Sequence, residues 1–304
     1  MKYFFFLILK KFILYGKLDI EIGNDPVKSI VGQLDGPNIH IQILNLKHLF
    51  LIVRSPELSF GELYMNKELK IKKGNLEDLM KFLMLNYNSW QSTNFGKIRK
   101  YLNDLKNFFS TFNPIKKAKR NAAHHYDLND DLFESFLDKR RQYSCGFFYS
   151  KNESLEDAQI NKVSRLVAKL QINKGNTVLD IGCGWGGLGL SIYNCNPSTR
   201  ITGITLSEKQ HIYFNQLIKK NKLTGKVECL LKDYRELDNE YDRIVSVGML
   251  EHVGHHNFEK FFQFIENHLK PKGVAVIHSI GRYGLPAHTN PWLEKYIFPG
   301  GYLP

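Results

Sequence analysis

A chain of 304 residues that is 43% hydrophobic and 24% charged can build one large core or two ordinary ones, which excludes a disordered or fibrous protein. Its four cysteines (Cys145, Cys183, Cys195 and Cys229) show no paired metal-ligand spacing, which argues against a disulfide scaffold and for a reduced, cytoplasmic protein. The net charge of +12 is uneven: residues 1–120 hold 20 Lys/Arg against 10 Asp/Glu, while residues 121–304 hold 22 against 20. That asymmetry peaks at Lys97–Arg120, where eight basic residues face Asp104, and it implies an anionic partner, either nucleic acid or a phospholipid surface.

Tyr3 to Leu9 is apolar and is interrupted by Lys10-Lys11. The run is too short for a bilayer, which needs about 20 residues, and no small-residue cleavage site follows it. A helix docked on its own domain is expected, with a helix lying on a membrane as the alternative. Residues 19–73 read as β-rich: Ile39-His40-Ile41-Gln42-Ile43 alternates with period two, and Leu49-Phe50-Leu51-Ile52-Val53 reads as a buried strand. Leu76 to Tyr87 has helical spacing. These elements make a small basic α+β domain over residues 1–112, serving a lipid surface or dimerisation, with the basic stretch as connector and a second domain over 113–304.

From Asn121 onward the pattern turns helical, with apolar faces over Asp131–Leu137 and Asp157–Leu170 and surface histidines at His124-His125. Tyr143 to Phe148 lacks that period and reads as a loop. Strands then alternate with helices: Val178–Ile181, Ile201–Thr205, Val227–Leu231, Asp242–Val247 and Val274–His278 are strands, with helices over Gln210–Lys219 and Phe258–Leu269. The alternation predicts an α/β, Rossmann-like domain with a mainly parallel sheet and ligands at the carboxyl ends of its strands.

The first of those strands ends in Asp180 and a loop spaced Gly182-x-Gly184-x-Gly186, not the Gly-x-Gly-x-x-Gly of dinucleotide folds. Glycines there let backbone N–H groups and a helix start come close to a ligand. An acid just before the first glycine would repel a pyrophosphate and suits a cation. This is the loop seen in S-adenosylmethionine (AdoMet) methyltransferases, whose ligand carries an ammonium and a sulfonium.

Further strings follow in order: Tyr143-Ser144-Cys145-Gly146-Phe147-Phe148, Gly203-Ile204-Thr205-Leu206-Ser207-x-x-Gln210, Asp233-Tyr234-Arg235, Met249-Leu250-Glu251-His252-Val253-Gly254 and Tyr296-Ile297-Phe298-Pro299-Gly300-Gly301. As an ordered set they resemble the cyclopropane-fatty-acyl-phospholipid synthases and the mycolic acid cyclopropane synthases. The resemblance is dense from Asn121 on and weaker at Phe60-Gly61-Glu62-Leu63-Tyr64-Met65. It implies methylene transfer from AdoMet to the cis double bond of a phospholipid acyl chain, forming a cyclopropane fatty acid. By the same resemblance Tyr143 and Ser144 frame the cofactor, and Leu179, Asp180, Ile181, Gly182, Cys183, Gly184, Trp185, Gly186 and Gly187 cradle it. Thr205, Leu206, Ser207 and Gln210 stand on its ribose side, with Tyr234 and Arg235 on its adenine side. A bound bicarbonate, the implied base, is held by Cys145, Glu251, His278 and the Ile280 backbone.

The reaction itself asks for such a site. An alkene is a weak nucleophile, so the sulfonium carbon must be held in line with the π bond away from water, and ring closure needs a base. Glu251-His252-x-x-His255-His256 lacks the His-Glu-x-x-His order of a zinc helix, and no metal is expected. No Asn-Pro-Pro-Tyr-type string that would hold a flipped base is present, so unsaturated phospholipid and not nucleic acid is the expected partner, with a homodimer also compatible. The expected place is cytoplasmic and peripheral, at the inner face of the membrane. Related C- or N-methylation without ring closure, or a non-catalytic AdoMet- or lipid-binding protein, are the alternatives. The resemblance also implies a tail beyond Pro304, so a fragment or a truncated form is expected.

Overall fold

The structure, a computed structural model, describes residues 2–92, 130–283 and 287–303. The basic stretch Lys97–Arg120, the expected boundary at 112/113 and His124-His125 lie outside these residues. The chain divides into two compact units, Met1–Phe109 with Asn290–Lys295 and Ser110–Thr289 with Tyr296–Pro304.

In the first unit, α1 (Lys2–Phe12) leads into β1 (Tyr15–Ile22), β2 (Lys28–Val31) and β3 (Leu34–Ile43). The period-two pattern does what it predicts. Ile39, Ile41 and Ile43 of β3 join Leu18, Ile20 and Ile22 of β1 in one core, and Phe5 and Phe6 dock α1 onto it. The reading of Leu49–Val53 as a strand is corrected: these residues lie in α2 (Leu46–Arg54). Asn45 caps that helix by accepting the Lys47 N–H at 3.1 Å, and its buried set His48, Leu49 and Ile52 has helical spacing. A run of five apolar residues carries no period of its own, so packing decided between strand and helix. Next come α3 (Pro56–Met65), β4 (Leu69–Lys73) and α4 (Leu76–Ser92). The strand order is β2-β1-β3-β4, with β1 and β3 parallel.

The second unit begins with α5 (Asp130–Phe136) and α6 (Leu155–Leu170), separated by the predicted loop. Strands and helices then alternate: β5 (Thr177–Ile181), α7 (Gly187–Cys195), β6 (Arg200–Thr205), α8 (Glu208–Lys220), β7 (Val227–Leu231) and β8 (Tyr241–Val247). After them stand α9 (Leu250–Val253), α10 (Phe258–His268) and β9 (Leu269–His278). Two short strands, β10 (Ala287–His288) and β11 (Tyr302–Leu303), pair antiparallel in this unit, while Pro291–Lys295 of the intervening α11 (Pro291–Tyr296) group with the first unit. The sheet runs β7-β6-β5-β8-β9, all parallel.

A parallel sheet covered on both faces needs strands apolar on both sides. In β5, Val178 packs with Leu166, Ile192 and Ile201 on one face, and Leu179 and Ile181 pack with Phe261 and Ile265 on the other. The connections leave β5 toward β6 on one side and toward β8 on the other, so the ligand crevice of such a sheet opens at the end of β5. Among the described residues no helix is long and apolar enough to cross a membrane.

Candidate active site

The glycine loop closes that crevice by local hydrogen bonds. The N–H groups of Gly182 and Cys183 both donate to Ile204 O, at 3.0 and 2.9 Å, and Gly186 N–H donates to Cys183 O at 3.0 Å. Three loop N–H groups, expected to come close to a ligand, are therefore spent on bonds within the protein. The turn requires glycine at Gly186, where φ is +87° and a Cβ would lie 2.2 Å from the Phe214 ring. Gly187, at the start of α7, lets the chain at Arg140 pass so close that a Cβ would meet its carbonyl at 2.4 Å. At Gly184, also at positive φ, nothing lies within 4 Å of that direction, so the space faces the crevice.

Asp180 is 1% exposed on β5, and its Oδ2 has no hydrogen-bond partner. Burial pushes its carboxyl up to about 7. A buried acid with an unused oxygen is chemically prepared for a cation. Ile181, Cys183 and Trp185 complete this wall of the pocket, together with Tyr143 and Ser144 from the loop before α6. The Phe133 ring braces both sides, with centroids 5.7 Å from Tyr143 and 4.8 Å from Trp185. Aromatic faces of this kind suit a sulfonium as well as an apolar chain.

On the next strand end, Thr205, Leu206 and Gln210 line the pocket. Gln210 is buried, and its Oε1 accepts the Thr205 hydroxyl at 2.7 Å. Tyr234 and Arg235 also line the pocket, beside Lys232 and Asp233. The Arg235 guanidinium is taken by Asp233 through two bonds of 2.7 and 2.8 Å. Four of the expected cofactor residues, three from the cradle and one from the ribose side, shape the pocket without lining it. Leu179 is core, Gly186 and Gly187 are close-approach positions, and Ser207 caps α8 by accepting Gln210 N–H at 3.3 Å.

Of the four expected catalytic positions, Glu251, His278 and Ile280 come together from α9 and the end of β9, while Cys145 stands on the loop before α6. Glu251, at the start of α9, is buried and accepts the Ile280 N–H on Oε1 at 2.6 Å. His278 ends β9, where its carbonyl accepts Gly248 N–H at 2.9 Å, and the Glu251 charge acts on its ring. Glu251 Oε2 and His278 Nδ1 are buried without hydrogen-bond partners. Burial lowers the His278 imidazole below its ordinary value, so it is neutral at pH 7. Cys145 and Ile280 are exposed, so this cluster is open to solvent on one side.

Sequence reasoning missed Lys162 and Gln159, both buried on α6 directly beneath the Gln142–Cys145 loop. A signal existed: they fall on the same helical stripe as Ala158, Val163, Leu166 and Leu170, and polar residues on an apolar stripe need a reason. It also missed Met249 and His252 as pocket walls.

This geometry is the Rossmann-like fold of the methyltransferases. The crystal structure of mycolic acid cyclopropane synthase CmaA1 complexed with SAH and CTAB shares it, with a TM-score of 0.57 and 33% identity over 64% of this chain and 71% of that one. Residues 114–304 match the family described as mycolic acid cyclopropane synthetase, and the chain belongs to that family. Cyclopropane-fatty-acyl-phospholipid synthase of Escherichia coli K12 is 42% identical over 190 residues, 62% of this chain and 48% of the relative. Tuberculostearic acid methyltransferase UfaA1 of Mycobacterium tuberculosis is 38% identical over 199 residues, 62% of this chain and 46% of the relative. The chain spans about half the length of these curated relatives.

Proposed function

We propose that the protein is an AdoMet-dependent transferase that adds a methylene group across the cis double bond of unsaturated phospholipid acyl chains, forming cyclopropane fatty acids. The observation that carries this reading is the pair of unpartnered buried atoms, Glu251 Oε2 and His278 Nδ1, beside a pocket whose floor holds the unpartnered Asp180 carboxyl. The first pair fits a small oxyanion that both donates and accepts; the second site fits a cation.

Bound AdoMet supplies an electrophilic carbon on a positive sulfur, and bound bicarbonate supplies a base for ring closure. The chain's own part is positional. Asp180 offers a counter-charge, Gln210 and Thr205 hold the ribose side, and Tyr143 and Trp185 wall the sulfonium. Neutral His278 donates or accepts one hydrogen bond, and Glu251 keeps Ile280 N–H in place while its other oxygen faces the anion. The N-terminal 120 residues, with 20 Lys/Arg against 10 Asp/Glu, serve an anionic lipid surface or self-association at the inner face of the membrane.

The test is incubation of the protein with labelled AdoMet and vesicles of cis-unsaturated phospholipid. A gain of one labelled CH2 per double bond, with cyclopropane protons in the NMR spectrum, is expected. Unchanged acyl chains would overturn the reading. The similarity to a tuberculostearic acid methyltransferase favours a second reading, a methyl branch without ring closure, which the same NMR spectrum separates.

A further inference from the structure

Lys162 sits on α6 at 4% exposure, and its Nζ donates to Ser144 Oγ at 2.6 Å. Three residues earlier on the same face, Gln159 donates its Nε2 to Gln142 O at 3.2 Å and Ser144 O at 2.8 Å. The two side chains grip the pocket loop from beneath. Gln159 alone would serve as a loop anchor, so a second anchor bearing a charge asks for an explanation. Burying an ammonium costs several kcal/mol unless the charge is used, and a hydroxyl does not neutralise it.

The groups around Lys162 show where the charge is felt. Burial lowers its ammonium to about 8, while Asp138 and Cys145 act to keep it protonated. The Asp138 carboxylate already accepts Gln142 N–H at 2.6 Å and Arg140 N–H at 3.2 Å, so part of its charge is spent on the loop backbone. On the opposite side the Lys162 charge reaches His278 and adds to burial in keeping that ring neutral. Of the residues assigned to the anion, Glu251 is an acid, and neither the His278 ring nor the Ile280 backbone brings a positive charge. A carbonate-type anion beside Glu251 would be repelled unless a cation stood near the same partly buried groups. Lys162 is placed to be that cation.

We propose that Lys162 is a positioning residue for the reaction: it fixes the Tyr143–Cys145 loop through Ser144 and supplies the positive field that draws a small oxyanion between Cys145, His278 and Glu251. The proposal rests on the anion reading given above. It is tested on the full chain by titrating labelled bicarbonate and following its NMR line broadening, with SAH affinity measured in parallel by calorimetry. Lys162→Met and Lys162→Gln are expected to weaken bicarbonate binding by about tenfold or more, and Lys162→Arg by less than about threefold; SAH affinity stays within about threefold in the glutamine and arginine variants, which keep a donor for Ser144, and falls in the methionine variant, which does not. Lys162→Gln keeps a donor for Ser144, so it decides the question should Lys162→Met fail to fold.

Wild-type affinity for bicarbonate in the glutamine variant would overturn the proposal while leaving the anion reading intact. Parallel loss of SAH and bicarbonate affinity in that variant would make Lys162 a scaffold residue only, and would overturn it as well. A wild-type protein blind to bicarbonate would remove the anion reading and this proposal together.

Discussion

The glycine cradle and the Cys145–His278–Glu251 cluster stand side by side and are built in opposite ways. In the cradle, the loop and the neighbouring strand end satisfy each other: Gly186 closes on Cys183, Gly182 and Cys183 close on Ile204 of β6, and Thr205 closes on Gln210. Its one unpartnered acid, Asp180, lies 1% exposed at its floor. In the cluster, residues from the loop before α6, from α9 and from the end of β9 meet through few bonds, with Glu251 to Ile280 N–H the clearest. Two polar atoms are left open and two members are exposed. A cradle satisfied from within keeps its shape without a ligand. A cluster with unsatisfied groups gains from whatever fills it, which makes it the more sensitive to single changes in chemistry and the less sensitive to changes in backbone.

Five substitutions break or sharpen that contrast. Gly186→Ala has the largest effect, because positive φ and the Phe214 ring both oppose it; a loss of about 3 kcal/mol or more in chemical denaturation is expected, with SAH binding abolished. Gly184→Ala at open space is the control for backbone strain alone and should lose only about 1 kcal/mol. Glu251→Gln keeps an acceptor for Ile280 N–H but alters the open oxygen; turnover on vesicles should fall by about a hundredfold or more while SAH affinity stays near wild type. If SAH affinity fell equally, the two regions would not be separable.

Asp180→Asn should weaken AdoMet by about tenfold in calorimetry and remove a pH dependence. In the free protein this carboxyl titrates at about 7, and a bound cation favours its ionised form, so AdoMet affinity falls as pH drops below 7 and binding there releases protons. The sign for stability is the reverse. A folded-state value raised above that of an unfolded carboxyl means stability is fully present below about 4 and is lost as pH rises through 7, and the asparagine variant should flatten this slope. The smallest effect is expected for Gln210→Ala, which removes the partner of the Thr205 hydroxyl and should weaken SAH by about fivefold.

Much of this architecture is written locally. The alternation in Ile39–Ile43, the apolar strands over Val178–Ile181 and Asp242–Val247, and the spacing of Gly182, Gly184 and Gly186 are short-range patterns. Each dictates its own backbone through side-chain period or through the absence of a Cβ. The sequence by itself thus determined a parallel α/β unit with an acid and a glycine turn at one strand end. Only the tertiary structure decided that Leu49–Val53 is helical, because burial of Leu49 and Ile52 against the β1 and β3 isoleucines outweighs the propensity of so short a run. It also decided that three loop N–H groups serve the turn, and that Lys162 lies beneath the loop that carries Ser144 and Cys145. Those outcomes depend on which distant surfaces meet, and a buried charge shows its purpose only once its neighbours from other segments are in place.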